Sequence, residues 1–294
     1  MWTLTWRRFR RSKLAVAALI YVALITVIAA AAPLIAQRGR LIPFAPDDLD
    51  FTVRMQPPDA QHPLGTDDVG HDVLSRMIHG ARVSLTVGFL ATAISLIVGS
   101  LLGALAGYYG GAADWIVSRV IEIVLCFPFL VLVLGIVALF GPSLYTIMIA
   151  LGLTSWTTEA RFVRGEFLRV RETEFAHAAR ASGARDGRII LRHLLPNALA
   201  PVLVSASFGV ASAVLTESAL SFLGFGVPLP TATWGSILSA AEANIDYAWW
   251  LVFFPGVPPG MEISSAVTGP KEESGRSKSE AFPTTRTASR SLCT

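Results

Sequence analysis

Uncharged apolar runs alternate with short polar, arginine-bearing segments along this chain. A helical crossing of a lipid bilayer needs about 20 apolar residues, so run length decides what each run can be. Leu14 to Gln37 carries no charge and follows Arg7, Arg8, Arg10, Arg11 and Lys13. It predicts a spanning helix with a cytoplasmic N-terminus, because basic residues gather on that side. A secretory signal has an apolar region of only about 7–15 residues. This run is longer, so 1–13 reads as a basic cytoplasmic N-terminus and 14–37 as an uncleaved first span, although Ala29 to Ala32 resembles a cleavage site.

Residues 38–82, with several prolines and the acids Asp47, Asp48 and Asp50, are too polar to span and read as an external loop. Val83 to Ala113, ending in "GYYGG", predicts a second crossing, followed by a short inside loop with Asp114, Arg119 and Glu122. Ile123 to Thr158 is uncharged but too long for one span. Gly141 and Pro142 break it into two antiparallel helices that meet outside. The arginines of the next segment, Arg161 to Arg192, agree with a cytoplasmic position.

Ala198 to Gly226 is a fifth span, on which Ser205, Gly209 and Ala213 recur every four residues, a spacing that lets helix backbones approach. Glu217 near its outer end is either a substrate or ion contact or, the preferred reading, an interfacial group bonded to a neighbouring backbone. An outer loop with Trp234 leads to "AWWLVFFPGVPPG", where Trp249 and Trp250 predict an interfacial pair. The apolar run stops after about ten residues, too short to cross. Residues 257–294 are rich in Ser, Thr, Lys and Glu, a composition that favours disorder. The break near Val257 reads as a reading-frame shift or as a truncated variant, and both stay open.

The segment 172–196 stands apart. Ala176, Ala178, Ala179 and Ala181 predict a thin helix from Glu172 to Ser182, broken by Gly183. Asp186 is placed to cap a second helix with Ile189, Ile190, Leu194 and Leu195 on one side, and Pro196 to end it. A short helix, a turn and a second helix joined to a span form an element able to transmit force. An amphipathic linker resting on lipid is the alternative, but the first helix lacks a broad aliphatic face.

Composition supports lipid as the solvent: 53% of residues are hydrophobic and 15% charged, against about 25% in soluble domains. Two cysteines, Cys126 and Cys293, cannot build a disulfide framework or a conventional metal site, and His62, His71, His79, His177 and His193 are scattered. The net charge of +3 follows from the basic residues beside apolar runs rather than from a nucleic-acid face. No G-x-x-x-x-G-K-[ST] loop is present to cradle ATP, and no nucleophile, base and orienter converge. A secondary transporter, the main alternative, calls for ionisable residues in several spans, whereas these spans hold Glu217, with Glu122 at one end. A membrane-bound enzyme would need clustered catalytic groups near one interface.

"EFAHAARASGARDGRIILRHLLPN" resembles the EAA loop of ABC importer permeases. The pattern falls on Ala178, Ala179, Gly183, Leu195 and Pro196, with His177 where the triplet's glutamate is usual and Glu174 as the nearest preceding carboxylate. "HPLGTDDVGHDVLSRMIHGARVSLTVG", "SWTTEARFVRGEFLRVRETEF" and "LTESALSFLGFGVPLPTATWGSIL" are similar to signatures of the C-type subunit of the dipeptide, oligopeptide and nickel group, with His71 where arginine is usual. The resemblance covers about Trp6 to Gly256. It implies an all-α polytopic bundle of five to six transmembrane helices, the sixth truncated, in the bacterial inner membrane. It further implies a non-catalytic permease paired with a second permease subunit, two ATPase subunits that hold ATP and magnesium, and an external solute-binding protein. Glu174, His177, Ala178, Ala179, Gly183, Leu195 and Pro196 would then couple to the ATPase. The loop 38–82 and the loop around Trp234 would dock the binding protein or the partner permease.

Overall fold

In the computed structural model, residues 13–35, 44–228, 230–242 and 244–256 are described. The expectations for the extreme N-terminus, for 36–43 and for the tail from 257 lie outside them. Among the described residues the regular structure is helical, with one isolated β-bridge between Thr66 and Asp72. The helices are α1 (Lys13–Ile35), α2 (Val73–Tyr109), α3 (Gly111–Leu125), α4 (Phe129–Phe140), α5 (Leu144–Val170), α6 (Glu174–Ala181), α7 (Asp186–Arg188), α8 (Leu195–Phe222) and α9 (Trp234–Glu242), followed by a helical segment at 249–256.

Helix α2 begins well before the expected Val83. The Asp72 carboxylate caps it by accepting from the Ser75 N–H at 2.8 Å. Charge had marked Arg76 as loop, but Arg76 Nη1 lies 3.2 Å from Asp67 Oδ2 and both side chains are buried, so the helix can carry it. The far end stops at Gly110, whose φ of +66° suits glycine. The expected inside loop with Asp114, Arg119 and Glu122 is helix α3 instead.

The third expected span is not straight. Helices α3 and α4 meet at an angle of 84° across 126–128, where Pro128 supplies no N–H to continue the ladder. The second break falls where expected. Gly141 has φ +83°, and Ser143 Oγ accepts from the Thr146 N–H at 3.1 Å to start α5. That helix then runs on to Val170, through Arg161, Arg164 and Arg169.

On length and apolar composition, two described helices suffice to cross a bilayer, α2 and the Val202–Phe222 part of α8, and a third if the bent α3–α4 pair is one broken span. The second half of α5 carries Glu159, Arg161, Arg164, Glu166 and Arg169, and the apolar stretch of α1 is Ile20–Pro33. The polytopic all-helical membrane architecture stands.

Helices α2 and α5 form the centre through a stripe of glycines. A Cβ at Gly99 would lie 2.5 Å from Glu159 Cβ, one at Gly103 2.5 Å from the Ala160 carbonyl oxygen, and one at Gly107 2.6 Å from Phe167 Cβ. No side chain fits there. The stripe expected on α8 meets α2 at Gly209, where a Cβ would lie 3.2 Å from Thr92 Cγ2, while Ser205, Gly209 and Ala213 also border a cavity; a tighter contact between α2 and α8 is at Gly88, whose Cβ would lie 2.8 Å from Val214 Cγ2.

Candidate functional site: the coupling junction and the central cavity

Helix α6 starts as the Thr173 carbonyl accepts from the N–H groups of Ala176 and His177. It ends before Gly183, which has φ +73° and open space around it. The chain re-enters helix at Asp186, and the expectation that Asp186 caps this turn is not met. Arg185 is the N-cap residue, without a side-chain bond, and Asp186 Oδ1 accepts instead from Tyr108 Oη at 2.7 Å. That bond ties the junction to the end of α2.

Pro196 does not end the second helix. Ile189–Leu194 forms a π-helix, the Leu195 N–H bonds to the Ile190 carbonyl, and the chain continues without a break into α8, with Pro196 in its first turn. A proline is tolerated in a first turn, and the wider π turn leaves room for a ring with no N–H to give. The connection between junction and span is therefore helical throughout, stiffer than a helix, a stop and a new helix.

The buried side of the junction is apolar, as expected for Ile189 and Leu194. Both, with Ala176, are 0% exposed and pack with Ala104 and Tyr108 of α2 and Val163, Phe167 and Val170 of α5, while Ile190 and Leu195 are partly buried against the same cluster. Arg171 Nη1 donates to the carbonyls of Gly107 and Tyr108, capping α2. Arg164 forms a two-pronged pair with Asp114, its Nη2 donating at 2.8 Å, and so ties α5 to α3. The outer side is open. Glu174, Phe175, His177, Ala178, Gly183 and Pro196 are exposed, and among the described residues no ion pair engages Glu174. Ala179 lies in α6, but its side chain is not among those described. The sequence-based site residues thus divide into an exposed face on α6 and its turn and a partly buried Leu195 at the root of α8.

Above this junction, α2, the α3–α4 bend, α5 and α8 enclose a cavity of about 560 Å³. Hydroxyls from α2, α5 and α8, among them Thr92, Thr154 and Ser205, share its wall with Phe162, Phe208 and Glu159. Glu159, whose Oε2 accepts from Ser205 Oγ at 2.7 Å, is buried. With the uncharged run ending at Thr158, Glu159 receives no role from the sequence alone. The readable signal was its place within an unbroken helical run.

Glu217 lies elsewhere. It is 0% exposed and absent from the cavity wall, and its oxygens accept from Ser84 Oγ at 3.1 Å and Ser221 Oγ at 2.8 Å. The preferred reading, a bond to a neighbouring backbone at the interface, does not hold: its partners are buried side-chain hydroxyls. Ser84 Oγ also accepts from the Trp234 N–H at 3.2 Å, so the acid helps join α2, α8 and α9.

The outer segment is more ordered than a solvated loop. His62 Nδ1 lies 3.0 Å from Asp72 Oδ1, and His71 Nδ1 lies 2.7 Å from Asp67 Oδ2. Burial works against the Asp67 charge, but bonds from the His71 side chain and N–H, with the charges of His71 and Arg76, outweigh it and hold the carboxyl below its usual range. Trp234, expected on an outer docking loop, is 3% exposed and its indole N–H donates to the Met77 carbonyl. The expected interfacial tryptophan pair is split: Trp249 is exposed, while Trp250 is buried and donates to the Thr66 carbonyl at 3.2 Å.

Residues 99–258 match the family model described as binding-protein-dependent transport system inner membrane component, and residues 1–58 match the N-terminal TM domain of oligopeptide transport permease C. The dipeptide transport system permease protein DppC of Alkalihalophilus pseudofirmus is 41% identical over 255 residues, 87% of this chain and 82% of that protein. The oligopeptide transport system permease protein OppC of Haemophilus influenzae is 40% identical over 257 residues, 87% of this chain and 81% of that protein. A chain of the inward-facing methionine ABC transporter MetNI has a similar fold, with a TM-score of 0.51 at 19% identity, covering 66% of this chain and 94% of that one.

Proposed function

Because the chain belongs to the family of binding-protein-dependent transport system inner membrane components, we propose that its coupling junction receives motion from ATPase subunits and passes it to the spans around the central cavity. The protein is the permease subunit of an ATP-driven ABC importer of dipeptides or oligopeptides, an integral protein of the inner membrane. Peptide rather than nickel is the cargo named for these relatives.

The observation that supports the coupling role is the contrast between the two sides of 174–196. The inner side is packed against the ends of α2 and α5, and the outer side, with Glu174, His177, Ala178 and Gly183, is open. A partner pushing on the outer side displaces the buried seam as a unit, because close-packed interiors transmit strain. The unbroken passage from π-helix to α8 then carries that displacement to the cavity wall at Ser205 and Phe208. The opening alternates between the two membrane faces.

In this reading a second permease subunit completes the pathway, two ATPase subunits hold ATP and magnesium, and an external solute-binding protein delivers peptide. The N-terminus and the junction face the cytoplasm. Reconstitution of the complete transporter in proteoliposomes tests it. Dipeptide uptake should require ATP on the junction side and persist when proton and sodium gradients are collapsed. Uptake that follows an ion gradient without ATP would instead make the chain a secondary transporter.

A further inference from the structure

The central cavity contains a carboxyl group without a cation. Glu159 is 5% exposed and is the one charged side chain among the described residues lining the cavity. Its bond from Ser205 Oγ is from a neutral donor, and no ion pair among the described residues involves it. Burying an ionisable group without a charged partner is costly, and such a group lining a cavity is a candidate ligand contact.

A second observation is independent of the acid. On the α2 wall Thr92 is 8% exposed, lines the same cavity, and its Oγ1 has no hydrogen-bond partner. Buried hydroxyls are nearly always paired. Gly209 of α8 packs directly beside it, since a Cβ there would lie 3.2 Å from Thr92 Cγ2 and 3.5 Å from its Oγ1. Around these groups the wall is aromatic at Phe162 and Phe208. An apolar cavity with a few convergent polar groups has the makeup of a ligand site, and ring faces attract cations.

From this arrangement we infer that the cavity is a subsite for an ammonium group of the transported solute, with Glu159 as counter-ion, Thr92 as a hydrogen-bond partner and Ser205 as the residue that positions the carboxylate. The inference rests on the peptide-importer reading for its solute. The α-ammonium of a peptide, or the side-chain ammonium of a lysine, is drawn to Glu159, and an acidic side chain is repelled. The permease thereby filters solutes by charge in addition to any selection by the binding protein.

Two measurements test this, and they separate its failure from that of the importer reading. In the reconstituted transporter, uptake of Ala-Lys is compared with uptake of Ala-Glu for wild type and for Glu159→Gln, which keeps the shape and a bond to Ser205. The Ala-Lys to Ala-Glu ratio should fall at least about fivefold in the variant; an unchanged ratio overturns the subsite. The second measurement needs no transport. Ser212 lines the cavity and is exposed, so Ser212→Cys is introduced with Cys126→Ser and Cys293→Ser. Its labelling by a trimethylammonium-ethyl methanethiosulfonate is compared with labelling by the sulfonatoethyl reagent. Preference for the cationic reagent should drop in Glu159→Gln, and an equal preference in both forms overturns the subsite even where uptake changes. If labelling responds while wild type moves neither peptide, the importer reading fails and the ammonium subsite stands.

Discussion

At Gly103 the absence of a single atom decides whether two helices meet. A Cβ there would lie 2.5 Å from the Ala160 carbonyl oxygen and 2.9 Å from Val163 Cβ, both on the facing helix. Overpacking of this kind costs about 1–3 kcal/mol, so Gly103→Val should lower the thermal unfolding temperature in detergent. Gly135, within α4 with nothing nearby, makes the comparison: Gly135→Ala should be neutral or gain up to about 1 kcal/mol of helix propensity. Asp67 gives a residue-scale pH dependence. Its folded carboxyl titrates below its ordinary value, so its contribution is full above the unfolded value of about 3.9 and is lost as pH falls through the lower folded value. Protease cleavage within 44–72 should therefore rise on acidification below about pH 4, and Asp67→Asn should raise cleavage at neutral pH and flatten the acid response. Part of this was legible in the sequence: Gly99, Gly103 and Gly107 stand four residues apart as plainly as Ser205, Gly209 and Ala213. Spacing alone could not say that the first stripe is closed against a helix while the second, which meets α2 at Gly209, also borders a cavity. Glu159 and Glu217 were opaque for a related reason, because burial and partner choice are set by residues distant in the chain.

Among the elements, the starts and breaks of helices show what a charge-based reading can and cannot reach. Gly141 and Pro142 were read correctly as a break, while Pro128, carrying the same physics within the same apolar run, was passed over. The start of α2 is misplaced because 38–82 is taken whole as a polar loop, although Arg76 within it is paired with Asp67 and buried in the helix. Pro196 was read as a stop because the rule concerns helix interiors, and the π turn places it at a beginning. The resulting continuous passage from junction to α8 has a testable consequence. Tyr108→Phe removes the bond to Asp186 that ties the junction to α2, a loss of about 0.5–1.5 kcal/mol in a typical case. ATPase subunits should still be retained, while peptide moved per ATP hydrolysed falls, measured as the ratio of uptake to phosphate release. A parallel fall in both quantities would place the bond in general stability rather than in transmission.

For the molecule as a whole, the architecture follows from burying two opposite kinds of surface. The glycine stripe between α2 and α5 brings their backbones together without a hydrophobic effect to drive them. The bend at Pro128 and the hydroxyls of α2, α5 and α8 keep a cavity open beside that seam, and the junction below closes the cluster formed by Tyr108, Phe167, Ile189 and Leu194. The most direct measurement is co-purification from detergent with the ATPase subunits, comparing wild type with Gly183→Pro and with Ala178→Trp. Gly183 has φ +73°, which proline cannot adopt, and Ala178 is on the exposed face. If the junction is the docking element, wild type retains the ATPase and both variants lose it while remaining folded in the membrane fraction. Undiminished ATPase retention in both variants would contradict a coupling role for 174–196.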